Sequence, residues 1–340
     1  MLLINLLKLI WNEQIKIYIR KSTWVMYGFI AVIIFGLTFI ELAFSEQDDK
    51  QYGDNWQAEL QLENEQLLKE KEELESRMEE DENLFYYTPD LEQYEKNSFY
   101  LEQDIKPVPF GAWRFVYELD IILSLISLFT IIVAANIVAS EHRWGTIKLL
   151  LIRPISRSKI LLSKYLSVLL FAFFTAIFLF IISFATGALF FGIEPGINPH
   201  AIIYDYNDSI KGISLANSYS YLKYVSLPAN VFANYAYHMV ILVMMATLAL
   251  MISTIFKNNA LAIGVAISLM FAGNSIVAFF SEYSWAKFIL FANTDLSQYV
   301  NDAPFFEGMT LPFSITILFI HFILFLGVAW AVFTKRDITE

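Results

Sequence analysis

Residues 141–164 read EHRWGTIKLLLIRPISRSKILLSK, a basic segment set between two long runs that carry no full charge. The runs on either side, residues 121–139 and 165–192, can each cross a hydrocarbon core of about 30 Å as helix, at about 1.5 Å per residue. Bases gathered where two such runs meet mark a turn between membrane spans. Reading that turn correctly decides how the rest of the chain is laid out.

Working outward, residues 23–40, 232–256, 260–281 and 311–334 meet the same criterion. None of the nine prolines falls inside a run, and Pro312 opens the sixth, where a missing N–H costs nothing. The chain is 57% hydrophobic and 16% aromatic, against roughly 45–50% apolar residues in ordinary soluble domains. The expected fold is therefore all-α, a polytopic membrane protein with six transmembrane helices. With no cysteine in 340 residues, a disulfide framework, a thiol nucleophile and a cysteine metal site are excluded.

Lys and Arg give the orientation. With the N-terminus inside, the inner segments hold 13 bases, among them Lys8, Lys16, Arg20, Arg143, Lys257 and Lys335, whereas the two shorter outer loops hold three, Lys211, Lys223 and Lys287. That asymmetry predicts two cytoplasmic termini in the cell membrane. Net charge is −11, but residues 45–110 carry 20 acids against 6 bases, so the acidity belongs to one outer insert. The bases elsewhere lie beside apolar runs, and no nucleic-acid partner is expected.

The resulting plan begins with an amphipathic interfacial helix over 1–21, the first span over 22–44 and the acidic insert over 45–110. In the first helix Asn5, Lys8, Asn12, Glu13, Lys16 and Arg20 share one face, and leucines, isoleucines and Trp11 fill the other. A signal peptide is the competing reading, but no small-x-small cleavage site follows. In the insert, Leu60, Leu67 and Leu74 recur every seven residues. A break at Tyr86-Tyr87, a cap at Thr88 with Pro89 and Asp90, and a second stripe of Leu91, Tyr94, Leu101 and Ile105 complete an extracellular helical hairpin, stopped by Pro107 and Pro109. The second span covers 111–140, a cytoplasmic loop 141–164 and the third span 165–192. A polar, proline-punctuated outer cap follows over 193–231. The fourth and fifth spans, 232–256 and 260–281, precede an amphipathic outer segment over 282–310, expected to dip into the membrane or pack on the mouth of the spans. The sixth span, 311–334, and a tail, 335–340, end the chain.

Within 141–164, Trp144, Ile147, Leu150 and Leu151 can face lipid or protein while Arg143 and Lys148 face water. Arg153-Pro154 ends that short helix, and Ser156 can cap a new one through Arg157 and Lys159. The product is a stiff elbow with an acid at Glu141, a bend at Gly145-Thr146 and a basic corner, joined directly to two spans. The competing reading gives these bases to topology and to anionic lipid.

The string Glu141, Gly145-Thr146, Leu149 to Leu151, Arg153-Pro154, Ser156-Arg157 and Lys164-Tyr165 resembles the signature of permease subunits of type-2 ATP-binding-cassette transporters. The ending Phe333, Lys335, Arg336 and Asp337 and the turn Lys257-Asn258-Asn259-Ala260 are similar to that family's as well. The resemblance covers almost the whole chain, and the large insert between the first two spans departs from it. It implies two permease subunits, identical or paralogous, each docking its elbow on one of two cytoplasmic ATPase subunits, with ATP and magnesium bound there and no cofactor on this chain. The coupling residues would be Glu141, Arg143, Gly145, Thr146, Lys148, Arg153, Pro154, Ser156, Arg157 and Lys159. The sequence itself holds no G-x-x-x-x-G-K-[ST] motif, so the chain is expected to be no enzyme and to borrow its hydrolysis.

Other candidate chemistry is sparse. Of four histidines, His238 and His321 lie within spans, where an ionisable group suggests a pathway, although a neutral histidine bonded across helices is the commoner case. Glu118 and Asp120 enter the second span from outside, as a gate or as acids suited to a helix N-terminus. No H-E-x-x-H or other metal spacing occurs. The 31 Phe and 18 Tyr suit a hydrophobic or amphipathic cargo and equally a lipid-facing surface. An exporter of such a cargo, for example a peptide antibiotic, drug or lipid-like compound, is the expectation. A membrane sensor or immunity protein with a peptide-binding hairpin is the alternative, and an intramembrane enzyme the weakest reading.

Overall fold

A computed structural model describes residues 2–44, 52–80, 92–147, 155–196, 199–205, 221–299 and 304–335. The chain is mostly helical: α1 (Leu2–Tyr18), α2 (Lys21–Phe44), α3 (Trp56–Glu80), α4 (Glu92–Glu102), α5 (Ala112–Glu118), α6 (Leu123–Arg143), α7 (Arg157–Phe190), α8 (Leu227–Ile255), α9 (Asn259–Phe279) and α10 (Leu311–Lys335). A 3-10 turn, Leu119–Ile122, joins α5 to α6. Six helical segments are long and apolar enough to cross a membrane: Lys21–Ala43, Ala112–Arg143, Arg157–Phe190, Leu227–Ile255, Asn259–Phe279 and Leu311–Lys335. A helix satisfies its own backbone groups, which is what a chain in hydrocarbon requires.

The second and fourth of these segments form the centre. In the apolar 18-residue stretch of each, 67% and 61% of the residues are buried, against 17% for the first segment and 22% for each of the last two. Their contact, between α6 and α8, is the most extensive in the protein. Both helices bury small residues, Ala134, Ala135 and Ala139 of α6 and Ala246 and Ala249 of α8. Where lipid removes the hydrophobic drive between helices, small side chains let backbones approach and packing holds them. The approach is close enough that the N–H groups of Val138 and Ala139 donate to Ser253 Oγ of α8, each at 3.1 Å. α1, α2 and α5 pack on α7, while α9 packs on α6 and α8 and α10 on α8.

The helical plan has one addition: β1 (His200–Asp205) and β2 (Tyr221–Ser226) form an antiparallel pair between the third and fourth spans, from His200 opposite Ser226 to Asp205 opposite Tyr221. Ile202, Ile203, Tyr224 and Val225 are good strand formers, but the nearby prolines and polar residues hide so short a signal. The helix that carries the apolar run 232–256 begins at Leu227, with Pro228 in its first turn, a position where proline is tolerated.

The insert and the caps are held by specific bonds. Leu60 and Asn64 of α3 are buried, Asn64 Nδ2 lies 3.2 Å from Ser98 Oγ of α4, and Gln57 Nε2 lies 3.2 Å from Asp104 Oδ1, so α3 and α4 run in opposite directions. The expected break and cap at Tyr86, Tyr87, Thr88, Pro89, Asp90 and Leu91 lie outside the described residues. α5 receives its cap from a distance: Glu194, beyond α7, accepts from Trp113 N at 3.0 Å and Arg114 N at 2.7 Å. A Cβ at Gly111 would sit 2.5 Å from that carboxyl carbon, which is why glycine stands there. Residues 284–299 fold into 3-10 turns, of which Leu290–Asn293 is seated on α9 and α10. Asn293, fully buried, donates to Lys287 O and Ile289 O at 2.8 and 2.9 Å and accepts from Ser314 Oγ of α10 at 2.7 Å.

Candidate functional site

The elbow after α6 is built on a cluster of four charges. Glu141, in the last turn of α6, faces inward and is 5% exposed. Its Oε1 receives Lys16 Nζ of α1 at 2.8 Å and Lys164 Nζ of α7 at 3.0 Å, and its Oε2 accepts from the Thr146 hydroxyl. Glu13 of α1 mirrors it, with Oε1 2.8 Å from Lys16 Nζ and Oε2 2.8 Å from Lys164 Nζ. Two carboxylates and two ammonium groups thus alternate, with no net charge.

Lys164 is the centre of the cluster and is fully buried. A buried ammonium is tolerated when paired and hydrogen-bonded, and removing a partner from such a group is costly. For Lys16, half-exposed beside α1, burial works against the charge, but Glu13 and Glu141 outweigh it and raise the pKa above its ordinary value. Arg20 completes the corner over the Trp144 ring at 5.2 Å, and burial, only partly offset by Glu13 and Glu141, lowers its pKa.

The cluster corrects the reading of α1. Its polar face is not simply solvated: Glu13 and Gln14 are buried against α7, and Gln14 Nε2 donates to Ser167 O at 2.7 Å. Trp11, Ile15 and Ile19 are exposed instead, Trp11 at 69% and Ile19 at 75%. Glu141, expected at a docking surface, is likewise spent inside the protein. Arg143, Trp144 and Gly145 are exposed at the turn, and Gly145 adopts φ +68°, a left-handed conformation that favours glycine. Lys148, Arg153 and Pro154 lie outside the described residues. Ser156 occupies the N-cap of α7 in extended conformation without a side-chain cap bond, and Lys159 is half-buried on the first turn. Arg157 donates to Thr334 O of α10 at 2.9 Å, and Trp330 Nε1 donates to Ser158 Oγ at 2.9 Å. The turn is thereby tied to the ends of four helices, α1, α6, α7 and α10.

The pathway candidates divide. His238 Nδ1 is 3.8 Å from Asp120 Oδ1 and 3.1 Å from Asn234 O, so these two residues of the central helices do meet. Glu118 pairs instead with Arg114, Nε to Oε1 at 3.1 Å. His321 Nδ1 lies 2.9 Å from Ile317 O of its own helix. Sequence reading assigned Glu13 only to a polar face and Lys164 only to the motif. Their signal was present: an acid and a base three residues apart on α1, and a lone lysine opening an apolar run, neither of which a membrane chain leaves unpartnered. Among the described residues no group of His, Asp or Glu is arranged to hold a metal ion.

The family model described as protein of unknown function (DUF2705) matches residues 86–339. The uncharacterized protein YhcI of Bacillus subtilis (strain 168) is 39% identical over 344 residues, which cover 98% of this chain and all of that one. The uncharacterized membrane protein YdbK of the same organism is 33% identical over 217 residues, 63% of this chain and 78% of that protein.

Proposed function

The chain belongs to the DUF2705 family, and on that premise we propose that it is the permease subunit of a type-2 ATP-binding-cassette exporter in the cytoplasmic membrane. Its six apolar helices, in a chain similar to one protein described as a membrane protein, carry a hydrophobic or amphipathic cargo. Both termini and the 141–164 turn face the cytoplasm, α1 lies in the interface with Trp11, Ile15 and Ile19 toward lipid, and α3 and α4 stand outside as a hairpin. Two such subunits pair, and each rests its turn on one of two cytoplasmic ATPases that bind ATP and magnesium.

The observation that carries this reading is the charge cluster beneath the turn. Glu13, Lys16, Glu141 and Lys164 lock α1 and the inner ends of the second and third spans together, while Arg143 and Trp144 remain exposed at the corner. A push on that corner moves all three helices at once. Co-expression with a cytoplasmic ATPase of this class tests it: the pair should co-purify, with ATPase activity absent from the permease alone. Arg143→Glu with Lys159→Glu should cut recovery of the ATPase at least tenfold and stop ATP-dependent export. Equal recovery would defeat the docking assignment.

A second reading, a membrane sensor or immunity protein, places peptide recognition on the antiparallel α3 and α4 of the insert. Removing residues 54–104 should abolish a sensor's response and only reduce a transporter's activity.

A further inference from the structure

The bend between α1 and α2 carries two bases that no acid answers. Glu13 and Glu141, the acids of the adjoining cluster, are matched one for one by Lys16 and Lys164. They act on Arg20 only from beyond bonding distance. Arg20 and Lys21 are therefore surplus charges, and among the described residues neither side chain has a hydrogen-bond or ion-pair partner.

Arg20 is not a freely solvated base. It is half-buried, with its guanidinium over the Trp144 ring at 5.2 Å. An aromatic face attracts the charge but accepts none of the five N–H groups in the way an oxygen would. A partly buried charge without an acceptor is costly, and the planar fork of arginine suits phosphate oxygens. The site favours an anion.

Position says where that anion comes from. The first membrane-crossing segment begins at Lys21, so Arg20 and Lys21 stand at the end of a span, at the depth of phospholipid headgroups. The bend that presents them is tight: Thr23 Oγ1 donates to Ile17 O at 2.6 Å and Trp24 Nε1 donates to Tyr18 O at 2.8 Å. Its N–H spent on the protein, Trp24 offers an exposed ring, and Ile15 and Ile19 are exposed on α1 just before the bend. A soluble phosphate would engage the bases and leave this apolar surface uncovered. A molecule with an anionic head and hydrocarbon tails covers both.

We propose that the α1–α2 bend is a binding site for one anionic phospholipid, whose phosphate is held by Arg20 and Lys21 and whose tails lie along Ile15, Ile19 and Trp24. The proposal rests on the membrane-crossing helices and on this bend. It does not depend on the exporter reading, and its test contains no ATPase.

Native mass spectrometry of the full-length chain in a non-ionic detergent tests it, with equimolar palmitoyl-oleoyl phosphatidylglycerol and phosphatidylcholine added. Bound phosphatidylglycerol should exceed phosphatidylcholine by about fivefold or more, and Arg20→Gln or Lys21→Gln should each cut that preference by about fivefold, the worth of one base at an anionic surface. Lys335→Gln, which removes an exposed base at the end of α10, should leave it unchanged. Lys21 is itself exposed, so its variant decides the matter if Arg20→Gln unfolds. Glycerol phosphate at millimolar concentration should not displace the lipid. Equal binding of the two lipids, an effect of Lys335→Gln as large as those at the bend, or displacement by glycerol phosphate overturns the proposal.

Discussion

At the scale of residues, the decisive group is Lys164, an ammonium with no exposed surface held by two carboxylates from different helices. Breaking such a pair strands a buried charge and costs about 3–5 kcal/mol. Glu141→Gln and Lys164→Gln should each lower the melting temperature of the detergent-solubilised protein sharply. The double variant should cost less than the two single costs together, because the groups are coupled. Additive losses would show that the cluster does not act as a unit. Lys16 adds a pH dependence. Its folded pKa is raised above 10.5, so its contribution is complete below pH 10.5 and is lost as pH climbs through the raised value. Thermal stability should fall in that alkaline window, and Lys16→Gln should flatten the fall.

At the scale of elements, the connections between helices are fastened to them by tight contacts. A Cβ at Gly273 of α9 would lie 2.3 Å from the Phe291 ring in the 282–310 segment, and a ring that cannot shift makes overpacking cost about 1–3 kcal/mol. Gly273→Ala should lower the melting temperature and increase proteolysis within 282–310. Gly264→Ala on the same helix, where nothing lies within 4 Å, should be neutral or mildly stabilising. Equal effects would place the cost in the helix and not in the contact. The helices themselves were legible in composition. The seat of the 282–310 segment was legible only as amphipathicity, because Asn293 and Ser314 meet from 21 residues apart. The β1–β2 pair was missed because six-residue strands between prolines give little periodicity to read.

At the scale of the whole molecule, the absence of cysteine from the sequence makes orientation directly measurable. Gln57→Cys on α3 and Arg143→Cys at the turn, both at exposed positions, should react with a membrane-impermeant maleimide from outside and from inside respectively. Labelling of Arg143→Cys in intact cells would invert the arrangement and remove the docking proposal. The sequence alone determined that the chain has six helices fit to cross a membrane, since hydrocarbon thickness and backbone hydrogen bonding leave an uncharged run of that length few other forms. It also located the turn that joins the second and third of them. Only the tertiary structure decided that Glu141 looks inward, that Glu13 and Lys164 meet it from 128 and 23 residues away, and that Glu194 caps α5. Charge pairing across a fold depends on which helix ends converge, and pattern along one chain carries no record of that convergence.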